Sequence, residues 1–202
     1  MRPDIVLIAT STGGPDALKK ITPNLDKNLG VPVIVVQHML EGYTKQLALG
    51  LDRISNIPVK EVEYNEKLEK SKVYVAKAGV HMKLSNPTSS IFPRVTFNDG
   101  PKVNHVKPAA DVLFKNVADE YKKKNVLVVV GTGMGKDGLE GLMELKKTCN
   151  VYCITEAEED CVVYGMPKVI NDAGLSNEVC KVDRISYRIN DLCKKGWNNG
   201  KK

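Results

Sequence analysis

The sequence predicts an α/β fold with a doubly wound, mainly parallel sheet that is flanked by helices. Three runs of apolar, mostly β-branched residues support this prediction, at positions 5–8, 33–36 and 126–130. Runs of this kind are typical of parallel strands that are buried on both faces. Short alternating segments in the middle of the chain instead predict an antiparallel hairpin region around residues 59–98. With 202 residues, 42% of them hydrophobic, the chain is long enough for one substantial core.

The first half of the chain contains two predicted strand–helix units. Pro15 suits the first turn of a helix, where its missing N–H would have no partner in any case. The predicted elements are a strand over Asp4–Ala9, a helix from near Pro15, a strand over Pro32–Gln37 and a helix over Tyr43–Ile54. The alternating segments follow, separated by turn residues such as Asn86-Pro87, and cover Val59–Tyr64, Lys72–Ala76, His81–Leu84 and Arg94–Asn98.

Helical and strand patterns alternate again in the second half. Apolar residues with helical spacing predict a helix over Pro108–Lys123. The remaining predicted elements are a strand over Asn125–Val130, a helix over Gly138–Lys147, a strand over Asn150–Thr155 and short helices over Lys168–Ala173 and Ile185–Cys193. We therefore expect one domain over residues 1–195, followed by a linker-like, disordered tail over 196–202.

Composition argues against several classes of function. No apolar run approaches the length of a membrane span and no signal peptide is present, so we expect a cytoplasmic protein without membrane insertion. The five cysteines include no CxxC pair, which favours reduced thiols, and the three histidines are too far apart for a metal-spaced cluster. A net charge of +6 with only 5% aromatic residues favours solvated helix ends and a basic tail over nucleic-acid binding.

A serine, a histidine and an aspartate follow three of the predicted parallel strands. They are Ser11, His38 and Asp137, which lie in the sequences ATSTGGP, VQHM and GTGMGKDG. Because open α/β sheets place their sites at the carboxyl ends of strands, we expect these residues at one edge of the sheet. The three residue types are those of a hydrolytic triad, in which serine attacks, histidine moves the proton and aspartate orients histidine.

The local sequence leaves the role of Ser11 open. The nearby glycines allow a tight turn that exposes a side chain, but Ala9 replaces the first glycine of a G-x-S-x-G elbow. Ser11 is therefore either a nucleophile or part of a helix cap or anion-binding turn. The hydroxyl groups of Thr10 and Thr12 are neighbouring candidates for the reactive group.

His38 is a candidate for a catalytic role only if it lies near Ser11. Consecutive strands of a parallel sheet are often adjacent, and adjacency would bring these two side chains together. A lone histidine at a strand end is otherwise more often structural than catalytic. His81 and His105 are expected on the surface, and Cys161 has no histidine at a matching strand end.

The glycine-rich segment over 131–138 supports two functional hypotheses and one structural one. As a dinucleotide site, the GxGxxG spacing of Gly133–Gly138 precedes a helix, and Glu156 or Glu158 follows the next strand as the expected acid. As part of a triad site, Asp137 orients a histidine while glycine amides stabilise an oxyanion. As a structural element, the segment is a turn that Asp137 caps.

Six segments, in the same order, resemble the catalytic domain of the CheB family of chemotaxis methylesterases (protein-glutamate methylesterase/glutaminase). They lie within residues 5–182 and comprise the three motifs above, VYVA with the HM at His81, PAADVLF from Pro108 and CVVYGMP from Cys161. The resemblance implies an α/β fold and a serine-hydrolase mechanism without a metal or an organic cofactor. It also implies that Ser11 is the nucleophile, His38 the general base and Asp137 the residue that orients His38.

The same resemblance implies further site residues, a substrate and a partner. Thr12 and the backbone amide of Met134 occupy the positions where the family stabilises the oxyanion. The expected partners are methyl-accepting chemotaxis receptors, whose cytoplasmic helices carry glutamyl methyl esters and, for a second reaction, glutamines to be deamidated. A non-catalytic receptor-binding domain with a decayed site is the remaining alternative.

The sequence departs from the family pattern in two places. Family members usually carry an N-terminal receiver domain, whereas the first predicted strand here begins three residues after Met1. We therefore expect no receiver domain and an activity that phosphodonors leave unchanged. The loop over Val103–Pro108 lacks the arginine that is typical of the family, which concerns the substrate loop and not the triad.

Overall fold

The central feature of the computed structural model, which describes residues 1–85 and 93–198, is a seven-stranded parallel sheet. The strand order is β3-β4-β2-β1-β7-β8-β9, and β5 and β6 form a separate antiparallel pair. β1 therefore lies at the centre, between β2 and β7. The strands are β1 (Ile5–Thr10), β2 (Pro32–Gln37), β3 (Val59–Glu61), β4 (Lys72–Val75), β5 (His81–Ser85), β6 (Arg94–Asn98), β7 (Asn125–Val130), β8 (Asn150–Glu156) and β9 (Glu178–Cys180).

Helices cover both faces of the sheet, which explains why the central strands are apolar except at their ends. Every residue of β1 and β2 is buried. One core cluster joins the sheet to α1, α2 and α6, and the other joins it to α3, α4, α5 and the β5–β6 pair. The helices are α1 (Gly14–Ile21), α2 (Tyr43–Asp52), α3 (Ala110–Glu120), α4 (Leu139–Thr148), α5 (Met166–Asp172) and α6 (Val182–Lys195). The predicted fold class, a doubly wound and mainly parallel sheet, is thus confirmed. Among the described helices, none has the length and apolar character needed to cross a bilayer.

The region around residues 59–98 is antiparallel only in its second half. β3 and β4 pair parallel to each other, and β4 pairs parallel to β2, so both extend the main sheet. The prediction of antiparallel strands is therefore wrong for β3 and β4. An alternating pattern is typical of an antiparallel strand with one exposed face, but Val73, Tyr74 and Val75 of β4 are all fully buried. The antiparallel pairing of β5 with β6 is confirmed, and the predicted turn at Asn86-Pro87 lies outside the described residues. β9 was absent from the prediction since three residues are too short to show a period.

The first residues of the predicted tail are packed rather than disordered. The Trp197 N–H donates to the Met1 carbonyl oxygen at 2.9 Å, and the Met1 amino group donates to the Trp197 carbonyl oxygen at 2.6 Å. The Trp197 ring is 6% exposed and lies 5.7 Å from the Tyr152 ring, centroid to centroid. A buried aromatic ring holds this segment, and residues 199–202 lie outside the described part of the chain.

Candidate active site

Three neighbouring strands end at the same edge of the sheet and bring the predicted site residues together. The hydrogen-bond pattern continues just beyond the strand ends. The His38 N–H donates to the Thr10 carbonyl oxygen at 3.1 Å, and the Ser11 N–H donates to the Thr132 carbonyl oxygen at 2.9 Å. Ser11 therefore lies between the segment that carries His38 and the loop that leads to Asp137.

His38 and Asp137 form a hydrogen-bonded pair. Nε2 of the imidazole lies 2.8 Å from Oδ2 of the carboxylate, and the two side chains are only 7% and 3% exposed. Because Nε2 faces Asp137, Nδ1 is the ring nitrogen that remains for another partner. His38 and Ser11 line one open groove of about 360 Å³ together with Leu40 and Tyr43.

The Asp137 carboxylate accepts three further hydrogen bonds. Oδ2 also accepts from the Ala110 N–H at 2.6 Å, while Oδ1 accepts from Asn104 Nδ2 at 2.9 Å and from the Asp111 N–H at 3.1 Å. Burial favours a higher pKa for Asp137, but the hydrogen bond and charge of His38, with the other donors, outweigh burial and lower the pKa. Asp137 thus caps the N-terminus of α3 and not the helix that follows its own turn.

Asp111, in the first turn of α3, caps the N-terminus of α4 in the same way. Its Oδ1 accepts from the N–H groups of Gly138 and Gly141 at 3.0 and 2.7 Å, and its Oδ2 accepts from Asn104 Nδ2 at 2.7 Å. Burial, together with the charge of Asp137, raises the pKa of Asp111. The two helices therefore cap each other, and Asn104 donates to both carboxylates. Sequence analysis missed Asn104 and Asp111 as site residues. Asp111 could have been found, because it is an acid in the first turn of a predicted helix and lies within one of the family motifs.

Asp111→Ala is expected to lower the free energy of unfolding by about 2 kcal/mol because two buried N–H groups lose their acceptor. The matched control is Asp119→Ala, an exposed acid on the same helix, which should stay within about 0.5 kcal/mol. Chemical denaturation of the two variants measures the difference. Equal stabilities would show that the cross-capping contributes nothing.

The predicted oxyanion groups lie beside Ser11. A Cβ placed on Gly133 would lie 2.6 Å from Ser11 Cβ, so only glycine allows this approach. Thr132 Oγ1 donates to the Thr12 carbonyl oxygen at 2.9 Å, which ties the two loops together. Within residues 1–85 and 93–198, the N–H groups of Thr12 and Met134 donate no hydrogen bond. These two donors are therefore available near Ser11.

The geometry argues against the dinucleotide hypothesis. The N–H groups of Gly138 and Gly141 at the start of α4, which would hold a pyrophosphate, already bind the Asp111 carboxylate. Glu156 is 1% exposed, and its Oε2 accepts from the Thr132 N–H at 2.7 Å, so it points inward rather than toward a ribose. Glu158 lies in the short 3-10 helix beyond β8.

The other candidates have structural explanations. Ser11 is not a helix cap, because α1 begins after Gly13 without a side-chain cap. His81 is buried, which corrects the expected surface position: its Nε2 bonds the Pro101 carbonyl oxygen at 2.9 Å. His105 is exposed, as expected. Burial raises the pKa of Cys161 to about 12, so this thiol is a poor nucleophile. Across the described ranges, no group of three or more histidines, cysteines or acids is placed to hold a metal ion.

Comparison with known proteins gives consistent matches over nearly the whole chain. The family model described as CheB methylesterase matches residues 6–189. Proteins named protein-glutamate methylesterase/protein-glutamine glutaminase are 42% identical over 193 residues in Bacillus subtilis and 40% identical over 188 residues in Thermotoga maritima. These alignments cover 95% and 93% of this chain but 53% and 54% of the relatives, so the chain spans about half their length. The crystal structure of the Thermotoga maritima CheB methylesterase catalytic domain superposes with a TM-score of 0.89 at 38% identity, covering 95% of this chain and 100% of that one.

Proposed function

Because this chain belongs to the CheB methylesterase family, we propose that it hydrolyses glutamyl methyl esters on the cytoplasmic helices of chemoreceptors and deamidates glutamines there. The observation that carries the proposal is the buried His38–Asp137 pair, with a 2.8 Å contact, beside Ser11 in an open groove. A serine, an imidazole and an orienting carboxylate form the minimal set for acyl transfer without a cofactor.

In the proposed first step, Ser11 Oγ attacks the carbonyl carbon of the glutamyl ester. The hydroxyl proton passes to His38, and Nδ1 is the position that takes it because Nε2 donates to Asp137. His38 then gives this proton to the departing methoxide, which leaves as methanol. The products of this half-reaction are an acyl ester on Ser11 and free methanol.

In the second step, water attacks the acyl ester and gives its proton to His38. The Ser11 oxygen leaves and takes that proton back, which restores the hydroxyl group and releases the glutamate side chain. A glutamine substrate follows the same course with ammonia as the leaving group. Asp137 keeps Nε2 protonated throughout and stabilises the imidazolium, and its lowered pKa keeps it ionised.

The shape and charge of the site suit a side chain presented by another protein. The groove is open to solvent, and Leu40 and Tyr43 beside it are 76% and 59% exposed. A substrate side chain that projects from a helix can reach Ser11 from outside without entering a closed cavity. The net charge of +6 favours approach to an acidic helix, and added salt weakens this attraction.

The proposal is tested by incubating the protein with membranes that contain methylated chemoreceptors and measuring methanol release. A fluorophosphonate probe that labels Ser11 is added in parallel. We expect release and labelling together. Labelling without methanol release would indicate a different ester substrate, and the absence of both would indicate a non-catalytic binding domain. Binding of a nicotinamide cofactor would instead support the dinucleotide hypothesis.

Thr12→Val is expected to lower kcat and leave receptor affinity nearly unchanged. It keeps the backbone N–H and removes the hydroxyl group, the second donor that Thr12 offers where negative charge develops. Loss of one enclosed oxyanion donor costs about 10²–10³ in kcat. Thr12 is exposed, so we expect a loss of about 10-fold. Steady-state kinetics on receptor membranes separates kcat from KM. A rise in KM at constant kcat would instead place Thr12 in the receptor-docking surface.

A further inference from the structure

The side chain of Gln37 joins the backbone of Ser11 to the backbone of His38. Its Nε2 donates to the Ser11 carbonyl oxygen at 2.9 Å and to the His38 carbonyl oxygen at 3.0 Å. Its Oε1 accepts from the Thr10 hydroxyl group at 2.7 Å. Gln37 is 1% exposed, so these contacts replace contacts with water.

The orientation of the carboxamide follows from its partners. Two carbonyl oxygens can only accept hydrogen bonds, so the NH₂ group of Gln37 must face them. Oε1 then faces Thr10, whose hydroxyl group must donate. Both N–H groups and the oxygen are thereby used, and no other uncharged side chain of similar length offers two donors beside one acceptor.

The position of Gln37 explains why a side chain is needed here. Thr10 and Gln37 are the last paired residues of β1 and β2. Ser11 follows Thr10 directly, and His38 follows Gln37. Beyond this point the two backbones turn away to form loops, and regular strand pairing ends. The Gln37 carboxamide links the two segments one residue further, because it bonds the carbonyl oxygens of both Ser11 and His38.

The surrounding sequence leaves room for this group. A Cβ placed on Gly14 would overlap Gln37 Oε1 and lie 2.8 Å from Thr10 Cβ. Gly14, the first residue of α1, therefore leaves space for the carboxamide under the loop that carries Ser11. Thr10, Gly14 and Gln37 form one packed unit beneath Ser11 and His38.

From this geometry, and resting on the proposed function, we propose that Gln37 is a positioning residue that sets the spacing between the nucleophile Ser11 and the base His38. It bonds the backbone carbonyl oxygens of Ser11 and His38 and not their reacting side-chain atoms. It acts by fixing the two backbone carbonyl groups, and through them the two side chains. A displacement of about 1 Å between reacting groups is enough to lower a rate about 100-fold.

The test uses Gln37→Glu, which keeps the size of the side chain but replaces two donors with acceptors. We expect kcat for methanol release and the rate of fluorophosphonate labelling to fall together by about 100-fold, with KM for receptor membranes unchanged. The labelling rate relative to wild type should recover in part as the pH falls, because protonation of the introduced carboxyl group restores one donor. In protein that is folded at every pH compared, a purely structural contribution does not change the labelling rate in this way.

Two further variants make the result decisive. Gln37→Met removes all three polar contacts without adding charge, and it replaces the first variant if that protein does not fold. Thr155→Val is the matched control: it removes a buried hydroxyl group that bonds Asn171 and Ser176 at the end of β8 and should leave labelling within twofold of wild type. Folded Gln37 variants that label Ser11 at the wild-type rate would overturn the proposal. Wild-type protein that labels but releases no methanol would contradict the proposed substrate and leave the Gln37 comparison intact.

Discussion

Ser11→Ala is expected to abolish methanol release and to leave the free energy of unfolding within about 0.5 kcal/mol of wild type. The two effects separate because the hydroxyl group is used only in the proposed reaction. Across the described ranges no side-chain or backbone group forms a hydrogen bond with Ser11 Oγ, whereas the Ser11 N–H and carbonyl oxygen have partners that alanine keeps. The measurements are methanol release from methylated receptors and thermal unfolding.

The control for this variant is Ser55→Ala, which removes a hydroxyl group that donates to Thr22 Oγ1 far from the groove. It should keep wild-type activity. Thr10→Ala is a poor control despite its proximity, because the Thr10 hydroxyl group is buried and bonds Gln37. Methanol release by Ser11→Ala at a near wild-type rate would show that another group is the nucleophile.

Asp137→Asn is expected to lower kcat by about 10³–10⁴-fold. In a serine protease the corresponding change costs about 10⁴-fold because asparagine favours the wrong imidazole tautomer. Here the NH₂ group of an asparagine would also face N–H donors, since all four partners of the carboxylate donate to it. We therefore expect a second effect, a loss of about 1–3 kcal/mol in the free energy of unfolding. A stability loss with turnover reduced less than about 10-fold would make Asp137 a helix cap only.

The stability effect of Asp137→Asn should depend on pH with a defined sign. Folding lowers the pKa of Asp137 below its ordinary value of 3.8. The ionised carboxylate therefore stabilises the fold above the unfolded-state pKa, and this contribution is lost as the pH falls through the folded-state value. The difference in unfolding free energy between wild type and variant should be largest above about pH 5 and should narrow below 3.8. Denaturation curves at a series of pH values measure this difference, and a gap that widens on acidification would contradict it.

Most of the fold was predictable because buried strands carry a strong local signal. The predicted bounds of β2 and β7 coincide with the observed ones, since runs of valine and isoleucine leave little choice of structure. β3 and β4 were assigned the wrong pairing for a different reason. The residues of a short strand do not determine which strand lies beside it. The parallel pairing of β4 with β2 depends on the crossover connection between them, which has no local signal in β4 itself.

The sequence by itself determined which side chains could form the site, because Ser11 and His38 each follow a buried strand and must emerge at its end. Only the tertiary structure decided how these side chains are held. The exchange of caps between Asp111 and Asp137 requires α3 to pack on α4, and the bond from Asn104 requires a loop to reach both acids. Such hydrogen bonds join residues that are distant along the chain, and no local pattern encodes their distance or direction. Local propensity therefore specified the parts of the site, whereas long-range packing specified their geometry.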